Sequence, residues 1–162
     1  MKITKLESIF VKPRWHFLKV YTDEGIVGLG EPIVEGKART VAMAVREMED
    51  YLIGQDPRRI EHIWQVLYRG SFYRGGPVLT SAISGIEQAL WDIKGKWLGV
   101  PVYELLGGAV RNRIRVYAHA HGRTVEEFVE NAKQKVAEGF TAIKTSFDGP
   151  VRIVDTMEYL EK

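Results

Sequence analysis

The sequence predicts an α+β domain, one antiparallel sheet packed with helices, followed by strand-helix alternation of the parallel kind. Three observations predict it. Strand-like alternation with a hairpin turn is confined to Ile3–Glu31, helical periodicity fills the middle of the chain, and the period switches to β-α-β-α from about Ile114.

Residues Ile3 to Val11 mix period-two alternation with β-branched side chains, and His16–Thr22, the turn Asp23–Gly25 and Ile26–Glu31 read as a hairpin. An antiparallel sheet of about three strands results. Thr40 is expected to cap a helix with Val41, Ala44, Val45 and Met48 on one face. Asp56 and Pro57 supply the start of a second through Ile60, Ile63, Trp64 and Leu67. The paired glycines and proline of FYRGGPVLTSA break the pattern, and a third helix runs through Ile83, Ile86, Leu90, Ile93 and Trp97 to close at LGVP. Ile114–Ala120 is the next strand. Thr124 and Glu127 then form a capping box for a helix carrying Val125, Phe128, Val129, Ala132 and Val136 on one side, which Gly139 ends. FTAIKTS, Phe140 to Ser146, is a second strand of this part, and Ile153, Val154, Met157 and Leu160 mark a further helix. Such alternation makes parallel strands, and two alone leave edges that need more strands or a partner.

A chain of 162 residues, 45% hydrophobic and 27% charged, suits one medium domain, or one small domain with part of another. No apolar run approaches the ~20 residues of a membrane span, and MKITKLESIF lacks the continuous apolar core of a secretory signal. A cytoplasmic protein without a membrane partner is expected. The absence of cysteine excludes disulfides, a thiolate nucleophile and a Cys-type zinc site. The net charge of +2 comes from interspersed charges with no basic block to neutralise a nucleic-acid backbone, so no nucleic-acid partner is expected. GIVGLGE follows a hairpin turn and opens no helix, which removes it as a dinucleotide fingerprint, and no Walker sequence, Gly-x-Ser-x-Gly elbow or His-Glu-x-x-His occurs.

The segment AISGIEQALWDIKGKWLGVPVYELLGG, Ala82 to Gly108, resembles the amino-terminal signature of the mandelate racemase and muconate lactonizing enzymes, a subgroup of the enolase superfamily. With PRWHFLKVYTDEGIVGLGEP, YLIGQDP and FYRGGP, the chain as far as about Ser146 resembles the first part of the acid-sugar dehydratases in that subgroup. The fold implied is an α+β amino-terminal capping domain, here residues 1–110, followed by the first β-α-β-α units of a modified TIM barrel, here 111–162. The chemistry implied depends on magnesium. Three carboxylates at the ends of later barrel strands hold the metal, and a base removes the proton alpha to the substrate carboxylate to leave a metal-stabilised enediolate. Such a proton is too weakly acidic for a side chain to remove unless divalent charge neutralises the enediolate as it forms. None of those carboxylates matches a position in this sequence, so the ligands are expected beyond Lys162 and no metal ligand is assigned here. A barrel takes about 250 residues, and the chain is expected to be the front of a hydro-lyase, inactive by itself. The implied substrate is a small sugar acid, galactonate foremost, and the full-length enzyme is implied to be a homo-oligomer.

Lys144 is the catalytic candidate that the resemblance supplies. In the racemase branch the second barrel strand ends in Lys-x-Lys, the first lysine contacting the substrate carboxylate and modulating the second, which is the base. The chain reads Lys144-Thr145-Ser146, so serine holds the base position. That departure argues against a strand-two lysine base, fits a dehydratase whose base is a histidine from a later strand, and leaves Lys144 an electrostatic role. Taken without the resemblance, Lys144 reads equally as a strand-end lysine reaching solvent. His119 and His121, two apart and so on one side of the strand, sit at the carboxyl end of the first barrel strand, where barrels place their chemistry. They are expected to face substrate or to support groups that do, with polarity at the barrel mouth as the plain alternative. Two histidines without a third ligand do not make a metal site.

KPRWH, Lys12 to His16, and SFYRGG, Ser71 to Gly76, match loops that family members project over the barrel mouth. Arg14, Tyr73 and Arg74 are placed there to bind sugar-acid oxygens, and Trp15 and Phe72 to exclude water and pack on the carbon chain. Surface arginines and interdomain aromatic contacts are the plain reading of the same residues. His16, His62 and the helix residues Glu87, Asp92 and Lys94 are read as structural. Two functions of different class follow. One is the amino-terminal part of a sugar-acid dehydratase, with a racemase or a dehydratase for gluconate or another acid as its variants. The other is a non-catalytic truncated product that folds partly and associates through its capping domain.

Overall fold

The structure, a computed structural model, describes residues 1–12 and 14–145. Ser146 and the helix expected through Ile153, Val154, Met157 and Leu160 lie outside the described residues. The chain divides into one compact unit, Met1–Ala109, and a second that begins at Val110.

In the first unit β1 (Ile3–Val11), β2 (Trp15–Thr22) and β3 (Val27–Gly30) form an antiparallel sheet in that order. Period-two alternation turns His16, Leu18, Val20 and Thr22 of β2 inward. Onto the sheet pack α1 (Ala38–Leu52), α2 (Ile60–Arg69) and α3 (Gly76–Leu98), with a short α4 (Val102–Leu105) after them. Val41, Ala44 and Val45 of α1, Ile60 and Ile63 of α2, and Ile86, Leu90 and Ile93 of α3 close one core over Leu18 and Val20. Each large side chain buried there contributes about 1.5–3 kcal/mol, so the helical stripes seen in the sequence are what hold the layers together.

Some element starts differ from expectation. Thr40 is not a cap: α1 begins before it, with Lys37 at the cap position and no side-chain hydrogen bond closing the end. Ala38 and Arg39 are good helix formers and extend the helix backward past Thr40. Asp56 does not cap α2, whose cap position is Arg59. Its carboxylate is taken instead by Arg58, through Nε at 2.9 Å and Nη2 at 2.7 Å, and this hydrogen-bonded ion pair holds the Asp56 carboxyl down at about 2. β2 starts one residue before the expected His16: Trp15, read as a loop residue, belongs to it and pairs with Val11.

The contact between β3 and α3 explains the glycines of GIVGLGE. A Cβ on Gly28 would meet the Ala89 carbonyl and lie 2.7 Å from Ile93 Cγ1, and one on Gly30 would meet the Gly85 carbonyl. On Gly85 it would lie 2.5 Å from the Pro32 nitrogen and 2.6 Å from Pro32 Cα. With the side chains removed, α3 lies directly against β3. Three of its residues then serve the strand's free edge: Gln88 Oε1 accepts the Glu31 N–H at 2.9 Å, Asp92 Oδ2 accepts the Leu29 N–H at 2.8 Å, and Lys96 Nζ donates to the Val27 carbonyl at 2.7 Å. Four residues of helix rise about 6 Å and two of strand about 6.6 Å, so positions 88, 92 and 96 keep step with 31, 29 and 27. An edge strand is thereby closed to other chains by side chains of its own fold.

Among the described residues His16 is the one histidine in the core, fully buried. Its Nδ1–H donates to the Pro32 carbonyl at 2.7 Å, so in the neutral ring Nε2 accepts from the Ser8 hydroxyl at 2.9 Å. Phe10 stacks on the ring at 4.8 Å. Burial pushes the imidazole below its ordinary value of 6.5, against the smaller pull of the Pro32 carbonyl. A histidine depressed in the fold binds fewer protons folded than unfolded, so its stabilisation is complete above the unfolded value and is lost as pH falls toward the folded one. Stability in urea is accordingly expected to fall between about pH 7.5 and 5.5, and His16→Gln to flatten that decline. His16→Ala is expected to cost roughly 2–4 kcal/mol at about pH 7.5, through a cavity and an unpaired carbonyl. A pH-independent wild-type curve across that window would contradict the assignment.

The second unit holds β4 (Ala118–Ala120), α5 (Val125–Ala137) and β5 (Ile143–Thr145). β4 and β5 pair in parallel, Ala118 with Ile143, His119 with Lys144 and Ala120 with Thr145, as the alternation required. Both strands are shorter than predicted. Ile114, Val116 and Tyr117 are exposed and lie outside the ladder, because β propensity becomes a strand only where a partner supplies hydrogen bonds. The Thr124 hydroxyl does cap α5, accepting the Glu127 N–H at 3.2 Å, but the Glu127 carboxylate returns to Arg123 N–H at 2.8 Å, one residue outside the expected box.

Candidate functional site

On one face of the parallel pair four side chains meet. His119 and Lys144 are register partners and so project to the same side. Tyr117 precedes His119 by two and lies 5.5 Å from it between ring centroids, and Lys144 Nζ stands 5.8 Å over the Tyr117 ring. His121 stacks on His119 at 5.6 Å with the planes 11° apart. The alternate residues, Ala118 and Ala120, turn to the other side and are buried. The patch therefore brings together three of the residues singled out from sequence, Lys144, His119 and His121. It adds Tyr117, whose signal was its place in the same i, i+2, i+4 row. A second residue was missed altogether: Asn131 of α5 accepts the His121 backbone N–H at 3.1 Å.

An ammonium, two imidazoles and a phenol offer donors in several directions, the set that orients a carboxylate and its neighbouring hydroxyls. It is a poor set for magnesium, which takes oxygen ligands and carboxylates first. Among the described residues no group of three or more His, Asp or Glu side chains converges as a metal site requires. The patch does not fit the metal that the sequence resemblance implied.

The other expected residues lie in the first unit, in two separate places. Arg14 forms an ion pair with Glu35 at 2.9 Å and sits 5.3 Å over the Trp15 ring. Both partners are exposed, and such a pair is worth little and is easily exchanged for another anion. Phe72 and Tyr73 are 91% and 82% exposed and touch edge to face at 5.2 Å. Arg74 Nε donates to the Ser71 carbonyl at 3.3 Å. Tyr73 and Arg74 also wall a cleft of about 390 Å³ with Met48, Leu67 and Leu79. Of the residues read as structural, Asp92 and His16 have the bonds already described. Glu87 accepts from Trp91 Nε1 at 3.3 Å, and Lys94 stands over the Trp91 ring.

Residues 9–107 match the family model described as the amino-terminal domain of mandelate racemase and muconate lactonizing enzyme. The chain belongs to the mandelate racemase/muconate lactonizing enzyme family. Its first unit is that family's capping domain, an antiparallel sheet with helices, and β4-α5-β5 begins the TIM barrel that follows it. Among family relatives, the D-galactonate dehydratase of Ralstonia nicotianae is 57% identical over 156 residues, which cover 96% of this chain and 41% of that protein. The D-galactonate dehydratase of Pectobacterium atrosepticum is 58% identical over 155 residues, again 96% of this chain and 41% of the relative. The crystal structure of an enolase from Pantoea ananatis with bound D-gluconate and magnesium superposes with a TM-score of 0.82 at 41% identity, over 90% of this chain and 36% of that one. The chain thus spans about two fifths of the length of the curated relatives it matches. No helix among the described residues is long and apolar enough to cross a membrane.

Proposed function

We propose that the chain supplies the capping domain, residues 1–110, and the first barrel strands of a sugar-acid dehydratase. In this reading the enzyme acts on galactonate, removing the proton alpha to the carboxylate and then the hydroxyl beyond it. The observation that carries the reading is the face formed by Tyr117, His119, His121 and Lys144 along two parallel strands, with His121 just past the carboxyl end of β4, the end at which barrels do chemistry. Lys144 binds and neutralises acid oxygens and, as charge grows on them, stabilises that charge. The two imidazoles hold hydroxyl or carboxylate oxygens, and Tyr117 keeps the lysine stem in place. Within the first unit, the roles that the resemblance implies are kept: Arg14, Tyr73 and Arg74 for sugar-acid oxygens, Trp15 and Phe72 for excluding water. Relatives named D-galactonate dehydratase at 57% and 58% identity support galactonate. Gluconate is the second reading, because the Pantoea ananatis structure holds it. The bound metal would supply charge neutralisation at the acid from ligands outside the described residues, and no role here depends on it.

The test is the complete gene product against a panel of aldonates with magnesium, following both 2-keto product and exchange of the alpha proton into deuterated water. Dehydration of galactonate in preference to the other acids is expected, and a protein that dehydrates none of them overturns the reading. His119→Ala and His121→Ala are each expected to raise KM by roughly tenfold, the loss of one or two hydrogen bonds to a charged group. Unchanged KM in both would remove the imidazoles from the site.

A further inference from the structure

His121 is the first residue beyond β4, where a side chain swings freely unless its backbone is held. Three consecutive residues are held there, each by a different device. His121 N–H donates to Asn131 Oδ1 at 3.1 Å. Gly122 presses onto the first turn of α5 so closely that a Cβ would lie 2.6 Å from Phe128 Cα and 2.9 Å from the Glu127 carbonyl carbon. Arg123 N–H donates to Glu127 Oε2 at 2.8 Å. Thr124 then starts the helix. Gly122 and Glu127 anchor the turn to the start of α5, whereas Asn131 reaches back from the next turn to the one peptide whose side chain belongs to the patch. Asparagine is a poor helix former, so helical propensity does not account for it at that position.

We infer that Asn131 is a positioning residue for His121. By fixing the His121 peptide against α5 it keeps the imidazole stacked on His119, on the Lys144 side of the sheet, where the two rings present donors to a substrate's carboxylate and hydroxyl oxygens. The substrate part of this inference rests on the dehydratase reading, whereas the geometric part does not. A side chain that does not touch the substrate then sets how well two that do are aimed.

The test uses the complete gene product and two variants, Asn131→Ala and Asn131→Asp, the second keeping an oxygen at the acceptor position. In Asn131→Ala, hydrogen exchange of the His121 amide is expected to speed up on the order of tenfold, as loss of one ordinary hydrogen bond allows. The proton contact between the His119 and His121 rings should disappear from the NMR spectrum. Asn131→Asp should restore both. With galactonate, Asn131→Ala should raise KM by about tenfold with kcat nearly unchanged, below the roughly 10²-fold that a 1 Å misplacement of a reacting group can cost. If the ring contact survives in Asn131→Ala, or is lost equally in Asn131→Asp, the inference is overturned. It is overturned as well if the amide exchanges faster while ring contact and KM stay as they were, for then Asn131 secures only the loop. Should the wild-type protein dehydrate no aldonate, the dehydratase reading fails, and the NMR comparison still decides the geometry.

Discussion

Lys144→Met in the complete enzyme is expected to lower turnover on galactonate by about 10²–10³-fold, the usual consequence of deleting one preorganised charge from a site where negative charge develops. Methionine keeps about the length of the side chain and its apolar stem, so the loss reports the ammonium, which stands 5.8 Å over the Tyr117 ring, and not packing. KM should rise far less than kcat falls, because attraction to the acid is already present in the ground state and strengthens only as the proton leaves. Exchange of the alpha proton into deuterated water should slow by the same factor as turnover. Ser146→Ala, at the position where the racemase branch carries its base, is expected to change either rate far less. Normal turnover in Lys144→Met would reduce Lys144 to a strand-end lysine. Loss of alpha-proton exchange in Ser146→Ala alone would return the base to this strand.

Gly85→Ala is the second large effect, and there two principles oppose each other. Glycine within a helix is worse than alanine by about 1 kcal/mol, so propensity alone predicts stabilisation. Packing predicts the reverse, since the added methyl would lie 2.5 Å from the Pro32 nitrogen and 2.6 Å from its Cα, and backbone yields less readily than a side-chain tip. The methyl fits only if α3 lifts off β3, which would pull apart the bonds from Gln88, Asp92 and Lys96 together. A loss of about 3 kcal/mol is expected from overpacking of this kind, read as the urea midpoint. Thr80→Ala, on an exposed position of the same helix, is the control and should be neutral or slightly stabilising. Stabilisation by Gly85→Ala would mean that α3 and Pro32 are not in close contact at Gly85.

What could be read from sequence was whatever depends on residues near one another in the chain. The apolar rows of α1, α2 and α3 were visible because a helix repeats its buried face every three or four residues, and Gly139 marked the end of α5 with a positive φ of 96° that other residues adopt reluctantly. The strand span Ile3–Val11 was legible for the same reason. Features decided by distant partners were not. Ile114–Tyr117 looked like strand although the ladder starts at Ala118, whereas Asp56 is a local exception, its carboxylate going to Arg58 two residues on. At the site, His119 and His121 could be placed on one side by their spacing. That Lys144 stands beside His119 depends on a parallel register spanning the whole of α5. Asn131 gave no local signal, since its partner lies ten residues back across a turn.

The matched spacing of α3 and β3 also limits how this sequence can vary in length. One residue inserted between Gln88 and Asp92 would rotate everything after it by about 100° around the helix axis. Asp92 and Lys96 would swing away from the strand they serve, and Ile93 would leave the core in the same movement. No single compensating substitution restores three bonds and a core contact at once. The segment from Glu35 to Lys37, beyond the Glu31 and Pro32 contacts and before α1, carries no such phase relation. In descendants of this chain, insertions and deletions are therefore expected to collect there, and the signature helix to keep its residue count while its surface letters drift.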